Sequence, residues 1–182
     1  MTRSLLLSLL LAMSSTASGV VIRHDVDDSK YRIPASEFPA LVDMPGEGHG
    51  VLIAPQWAMT AAHTIPAHSK LKQVTINGVT RDVERVVVHP GYKTLPQELI
   101  DQATASGEAM LIVVVLASSD DIALIKLSQP VTDVTPAAIY ERSDEPGQIV
   151  KIIGKGATGT GDMGHDPRGP NRTELRRAFN KV

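Results

Sequence analysis

GVLIAPQWAMTAAH, residues Gly50 to His63, is the stretch whose reading decides the fold. Val51 to Pro55 is a short continuous apolar run, which reads as a buried strand. Trp57 to His63 is a strand end running into a short helical turn. There the small Ala61 and Ala62 let the backbone pack closely and set an imidazole at the strand-to-turn junction. GEGHG, Gly46 to Gly50, is a hairpin-like turn ahead of this stretch. Beyond it, Lys70 to Gly78 alternates, with Leu71, Val74 and Ile76 apolar, and Asn77-Gly78 is a strong two-residue hairpin signal. Val79 to Pro90 supplies the returning strand or strands.

The pattern changes at Pro96. Leu99, Ile100 and Ala103 stand at helical spacing, Gly107 interrupts, and Met110 to Ala117 suits either a buried helix or a strand. We take the whole as a helical insertion near 96–117. Asp121 to Val131 then reads as a core strand, Gly147 to Gly154 as another, and Thr173 to Val182 as a strand or short helix. Residues 20–44 form an extended, proline-punctuated arm that enters a first strand near Ala40 to Met44. Short strands separated by Gly/Pro turns place the chain in the all-β barrel class with one helical insertion.

At 182 residues the chain can form one domain or two small ones. A net charge of −2 leaves no basic footprint for nucleic acid and no polybasic patch for a membrane. Aromatic residues are 3% of the chain, so aliphatic side chains must build the core, and a base-stacking platform is not expected. Arg3, the apolar run Leu5 to Met13 and the small residues Ser15-Thr16-Ala17 read as a secretory signal cleaved near Ala17 to Gly19. The run is shorter than the roughly 20 apolar residues a membrane span needs. A secreted or periplasmic protein, free of the membrane after cleavage, is the expectation. There are no cysteines, which excludes disulfides, thiol catalysis and Cys-ligated zinc.

Nucleophilic acyl transfer needs a nucleophile, a base beside it and an acid that orients the base. His63 is the best candidate base, and Asp121, at the mouth of the apolar strand DIALIKL, the best candidate acid. A lone histidine is more often structural or exposed, and an aspartate at a strand start more often a turn residue. Spacing alone leaves both roles open.

GVLIAPQWAMTAAH, VVVHPGY and DIALIKLSQPV, in that order, resemble the trypsin/chymotrypsin-like serine proteases over roughly residues 38–180. The resemblance implies two six-stranded β-barrels with an active site in the cleft between them, acting on polypeptide substrates without a cofactor. His63 matches the catalytic histidine and Asp121 the catalytic aspartate. Asp120 is adjacent, but the family's acid directly precedes Ile-Ala-Leu. The organisation implied is a signal peptide at 1–18, a first barrel at 19–135 carrying His63 and Asp121, and the start of a second barrel at 136–182. Thr64 stands where many relatives carry cysteine, and the 58 positions from His63 to Asp121 exceed the usual gap, which the 96–117 insertion explains. No Arg/Lys-Ile-Val-Gly-Gly activation junction and no Gly-Asp-Ser-Gly-Gly segment occur.

IIGKGATGTGDMGHDPRGP, residues 152–170, offers two competing motifs. Its GxGxxG (Gly154, Gly156, Gly159) follows a strand, but the Gly/Pro-rich continuation starts no helix to receive a pyrophosphate. In GDMG, Met163 has no proton to lose and cannot attack a carbonyl. By resemblance the stretch is the turn that opens the second barrel, with Lys155 in place of a tryptophan, and the family's serine falls after residue 182. A metal is not expected either: HExxH and EF-hand patterns are absent, and His24, His49, His68, His89 and His165 read as scattered surface residues. Asp166, Asp43, Asp27 and Asp28 read as turn or solvated surface. The expectation is a secreted serine endopeptidase sequence whose 182 residues are inactive by themselves. A protease-derived binding module and a non-functional fragment are the alternatives.

Overall fold

The computed structural model describes residues 22–46, 48–65, 70–106, 110–166 and 173–182. The signal-like segment 1–18, His68 and the Gly107 interruption lie outside the described residues. Two compact units make up the fold: Ile33–Gly154 with Leu175–Val182, and the described residues up to Arg32 with those of Lys155–Glu174.

The larger unit is built on a closed six-stranded barrel. Its strands are β1 (Leu41–Asp43), β2 (His49–Ala54), β3 (Trp57–Thr60), β4 (Gln73–Ile76), β5 (Val79–Val88) and β6 (Ala123–Leu127). They run around the barrel in the order β1-β2-β3-β6-β5-β4, and Val42 opposite Ile76 closes the circuit. β1, β3, β4 and β6 bury alternate residues, as period-2 geometry requires. In β6 Ala123, Ile125 and Leu127 are buried while Leu124 and Lys126 are not. Val42, Leu52, Ala58, Val74 and Ile76 complete the interior, joined by Ala40, Met44, Leu71, Val131 and Val134 from flanking segments. No aromatic residue is among these buried core positions, as the scarcity of aromatics implies. Each fully buried Leu or Ile contributes about 1.5–3 kcal/mol relative to exposure.

Asn77 and Gly78 join β4 to β5 with φ of 50° and 75°, the positive pair a tight two-residue hairpin uses. β5 is a single ten-residue strand with two partners. Its first half pairs with β4, and after an irregularity between Val83 and Arg85 its second half pairs with β6. On the outer surface, Arg85 lies over the Trp57 ring and Lys126 pairs with Glu84.

The insertion between β5 and β6 is helical throughout its described length: α1 (Gln97–Ser106) and α2 (Met110–Ala117). Pro96 ends the extended approach, and its carbonyl accepts from the Leu99 and Ile100 amides at the start of α1.

After the barrel, β7 (Ile149–Gly154) pairs with β10 (Arg176–Lys181), so the closing segment is a strand. In the smaller unit, β8 (Thr158–Thr160) pairs with β9 (Gly164–Asp166). GDMG is therefore a hairpin turn, and Met163 is 86% exposed.

Two local expectations are corrected. The arm before β1 is not simply extended: 3-10 turns occupy Asp28–Lys30 and Ala35–Glu37. Asp27 caps the first by accepting the Ser29 amide, and Pro34, with φ of −66°, leads into the second. His49 and Gly50 belong to β2 and not to the preceding turn, because they pair with Asp43 and Val42.

Leu52 is fully buried and Ile149 is 74% exposed. Leu52→Ala is expected to lower the unfolding free energy by about 2–5 kcal/mol in urea titrations. Ile149→Ala should stay within about 0.5 kcal/mol of the parent.

Candidate active site

Register brings the two candidate residues together. Thr60 ends β3 directly opposite Ala123, which begins β6. The chain leaving β3 and the chain entering β6 thus meet at one end of the barrel. His63 is in the 3-10 turn Ala62–Thr64 that follows β3. Asp121 lies in the turn before β6, held by Asp121 N–H to Ser119 O and Ile122 N–H to Asp120 O.

The turn bearing His63 is fastened by hydroxyls. Thr60 Oγ1 donates to the His49 carbonyl at 2.9 Å, and Thr64 Oγ1 donates to the Ala61 carbonyl at 2.8 Å. The two hydroxyl oxygens are themselves 3.0 Å apart. Each hydroxyl has one proton, so two protons serve three contacts.

Asp121 grips His63 at two points. Oδ1 accepts the His63 backbone N–H at 2.9 Å, and Oδ2 lies 2.6 Å from His63 Nδ1. An ionised carboxylate can only accept, so Nδ1 carries a proton in this contact. In a neutral ring Nε2 then holds the free lone pair, and the paired Nδ1 fixes the tautomer. Burial of Asp121 pushes its carboxyl pKa up. The His63 ring and the His63 and Ala62 amides outweigh that and leave it below its ordinary value. Tyr92 is raised, first by its own burial and then by the negative charge of Asp121.

A cleft of about 800 Å³ opens beside His63. Ala62, His63 and Ile65 line it together with Tyr92, Leu95 and Ile100 from the approach to the insertion and its first helix. Its lining is more apolar than polar.

The other candidates go elsewhere. Asp120 turns away from His63 and sits 3.4 Å from the His89 ring. His49 lies 3.3 Å from Asp43, and His24 lies 3.5 Å from Asp162. His165 is in β9, remote in the chain from His63. Asp27 and Asp28 do more than face solvent: Asp27 caps a turn and Asp28 pairs with Arg32. The GxGxxG motif runs from the end of β7 into β8, and no helix follows it among the described residues. Sequence reasoning did not single out Tyr92 or Thr60 as parts of the site. VVVHPGY contains Tyr92, but nothing in that stretch alone points it toward Asp121.

A family model described as Trypsin matches residues 28–168, more than half of the chain. Among solved structures, the chain is similar to neuropsin, a serine protease expressed in the limbic system of mouse brain. The TM-score is 0.58 and the identity 21%, over 82% of this chain and 61% of that one. At that identity the likeness speaks to the fold, and the chain spans about three-fifths of neuropsin's length. No curated protein matches by sequence.

Because the Asp121 carboxyl is depressed in the folded state, folding favours its ionised form. The resulting stability is fully present above the ordinary carboxylate range and is lost as pH falls through the lower folded value. The stability difference between the parent and Asp121→Asn, from urea unfolding, should therefore be largest near neutral pH and shrink on acidification. A difference that stays constant down to about pH 2 would contradict this linkage.

Proposed function

The chain belongs to the trypsin family, and from that premise we propose that His63 and Asp121 are the base and orienting acid of a serine endopeptidase. The observation that carries the reading is the two-point grip of Asp121 on His63, through the backbone amide and through Nδ1. Fixed in this way, His63 presents Nε2 to a serine hydroxyl. It takes the hydroxyl proton as the oxygen attacks the scissile carbonyl, then delivers that proton to the leaving amine. Asp121 stabilises the imidazolium formed in between. Backbone N–H groups near the serine stabilise the oxyanion. The substrate is a polypeptide, and export through the N-terminal apolar run belongs to the same reading.

No Gly-Asp-Ser-Gly segment occurs in the 182 residues. We infer that these residues by themselves hold the base and acid without the nucleophile and do not turn over substrate. A second reading, a non-catalytic binding module, draws on the β7–β10 ribbon. Among the described residues that ribbon has two strands, and Ile149 and Phe179 are 74% and 62% exposed. Such ribbons are marginal alone and pair readily with another polypeptide.

A fluorophosphonate probe should leave the purified chain unlabelled; labelling that disappears in His63→Ala would overturn the inactivity. Addition of a separately produced segment bearing the Gly-Asp-Ser-Gly motif should give peptide hydrolysis that falls about 10²–10⁴-fold in His63→Ala. Stable association with that segment and no hydrolysis would favour the binding module.

A further inference from the structure

We propose that His89, Gly91 and Asp120 form a positioning device for Asp121, set by which of two partners His89 Nδ1 engages. The idea rests on the reading that Asp121 orients His63. The Gly91 N–H donates to His89 Nδ1 at 3.1 Å, and Asp120 Oδ2 is 3.4 Å from the same nitrogen. These contacts demand opposite states of one atom. An N–H donor needs a bare lone pair on Nδ1, whereas a carboxylate needs a proton there. The neutral ring with its proton on Nε2 satisfies Gly91. The imidazolium satisfies Asp120 and deprives the Gly91 N–H of its acceptor.

A Cβ on Gly91 would lie 1.9 Å from Asp120 Oδ2 and 3.3 Å from His89 Nδ1. A side chain at position 91 would displace the exposed Asp120 carboxylate from its place beside the ring. Tyr92 and Lys93 are the other ionisable residues of the 89–93 segment, and Asp121 is the other on the facing turn. Asp121 is engaged by His63, which leaves Asp120 as the carboxylate within ion-pair distance of His89 among the described residues.

The trio is joined directly to the turn that carries Asp121. His89 N–H donates to Ile122 O at 3.0 Å, Asp120 N–H to Gly91 O at 3.3 Å, and Lys93 N–H to Ser119 Oγ at 2.7 Å. Asp120 and Ile122, the neighbours of Asp121 on both sides, are therefore tied to the 89–93 segment. Protonation of His89 draws the Asp120 carboxylate toward the ring and shifts the peptide on which Asp121 stands. His89 and Asp120 act through Asp121 and touch no substrate, so both are positioning residues.

Nitrogen-15 and proton NMR of the labelled full chain across the pH range tests this. At high pH, His89 Nδ1 should report as a bare acceptor and the Gly91 amide as hydrogen-bonded. As His89 protonates, the Gly91 amide should move upfield, and the His63 Nδ1 proton bonded to Asp121 should shift in the same step. His89→Gln keeps an acceptor for the Gly91 amide but cannot titrate, so both responses should vanish. Gly91→Ala displaces the Asp120 carboxylate while keeping both charges. It should abolish the His63 response while His89 still titrates, and Asp120→Ala serves if that variant fails to fold. A neutral His89 with its proton on Nδ1, or a His63 signal indifferent to His89 in the parent chain, would overturn the proposal. So would a response that survives in the Gly91→Ala or Asp120→Ala chain. The readout is magnetic, so its failure leaves the endopeptidase reading standing, and an absence of hydrolysis leaves this coupling intact.

Discussion

The carboxylate of Asp121 accepting two N–H groups from one residue, His63, is the contact on which the arrangement of the site depends. A single bond to the ring would leave the imidazole free to swing about it. The second bond, to the backbone amide, ties the same carboxylate to the turn itself, so ring and main chain are referenced to one point. Burial works against the ionised acid, and several donors working together overcome that opposition. The result is an acid that stays charged and a histidine held in one tautomer.

The barrel supplies the precision this contact needs. β3 and β6 are hydrogen-bonded neighbours over four residue pairs, Trp57–Lys126 through Thr60–Ala123, and both site residues emerge within three positions of the last pair. Short tethers from a rigid ladder leave little room for either group to wander. β5 completes the support by serving two neighbours in succession, which lets the insertion leave and rejoin the barrel beside the site without breaking the circuit. Length in that connection has a small entropic effect, and β3 and β5 stay paired with β6 below it.

Much of this was legible in the residues. Asn77-Gly78, the alternation in Val74 and Ile76, and the inward set Ala123, Ile125 and Leu127 each follow from a local rule that the tertiary structure obeys. TAAH and DIAL single out two residues that the structure brings into contact, and the neighbouring carboxylates of Asp120 and Asp121 go to different histidines. Legibility failed where the determinant is not local. The arm before β1 holds 3-10 turns because Asp27 finds the Ser29 amide, a bond that competes with extension and leaves no periodic trace. His49 reads as part of a glycine turn until its pairing with Asp43 is known. The meeting of His89, Gly91 and Asp120 depends on two segments about 30 residues apart, and no spacing rule connects them.

Gly48 packs against Thr64 so closely that a Cβ there would stand 2.6 Å from the threonine Cγ2, and its φ of +102° is one a side chain rarely tolerates. The turn carrying His63 is thereby seated by shape and by hydroxyl bonds, without a covalent link, in a chain that has no sulfhydryl to oxidise. The assembly of the His63–Asp121 pair is then indifferent to redox potential. A reducing agent finds no bond to break among the contacts that seat this turn.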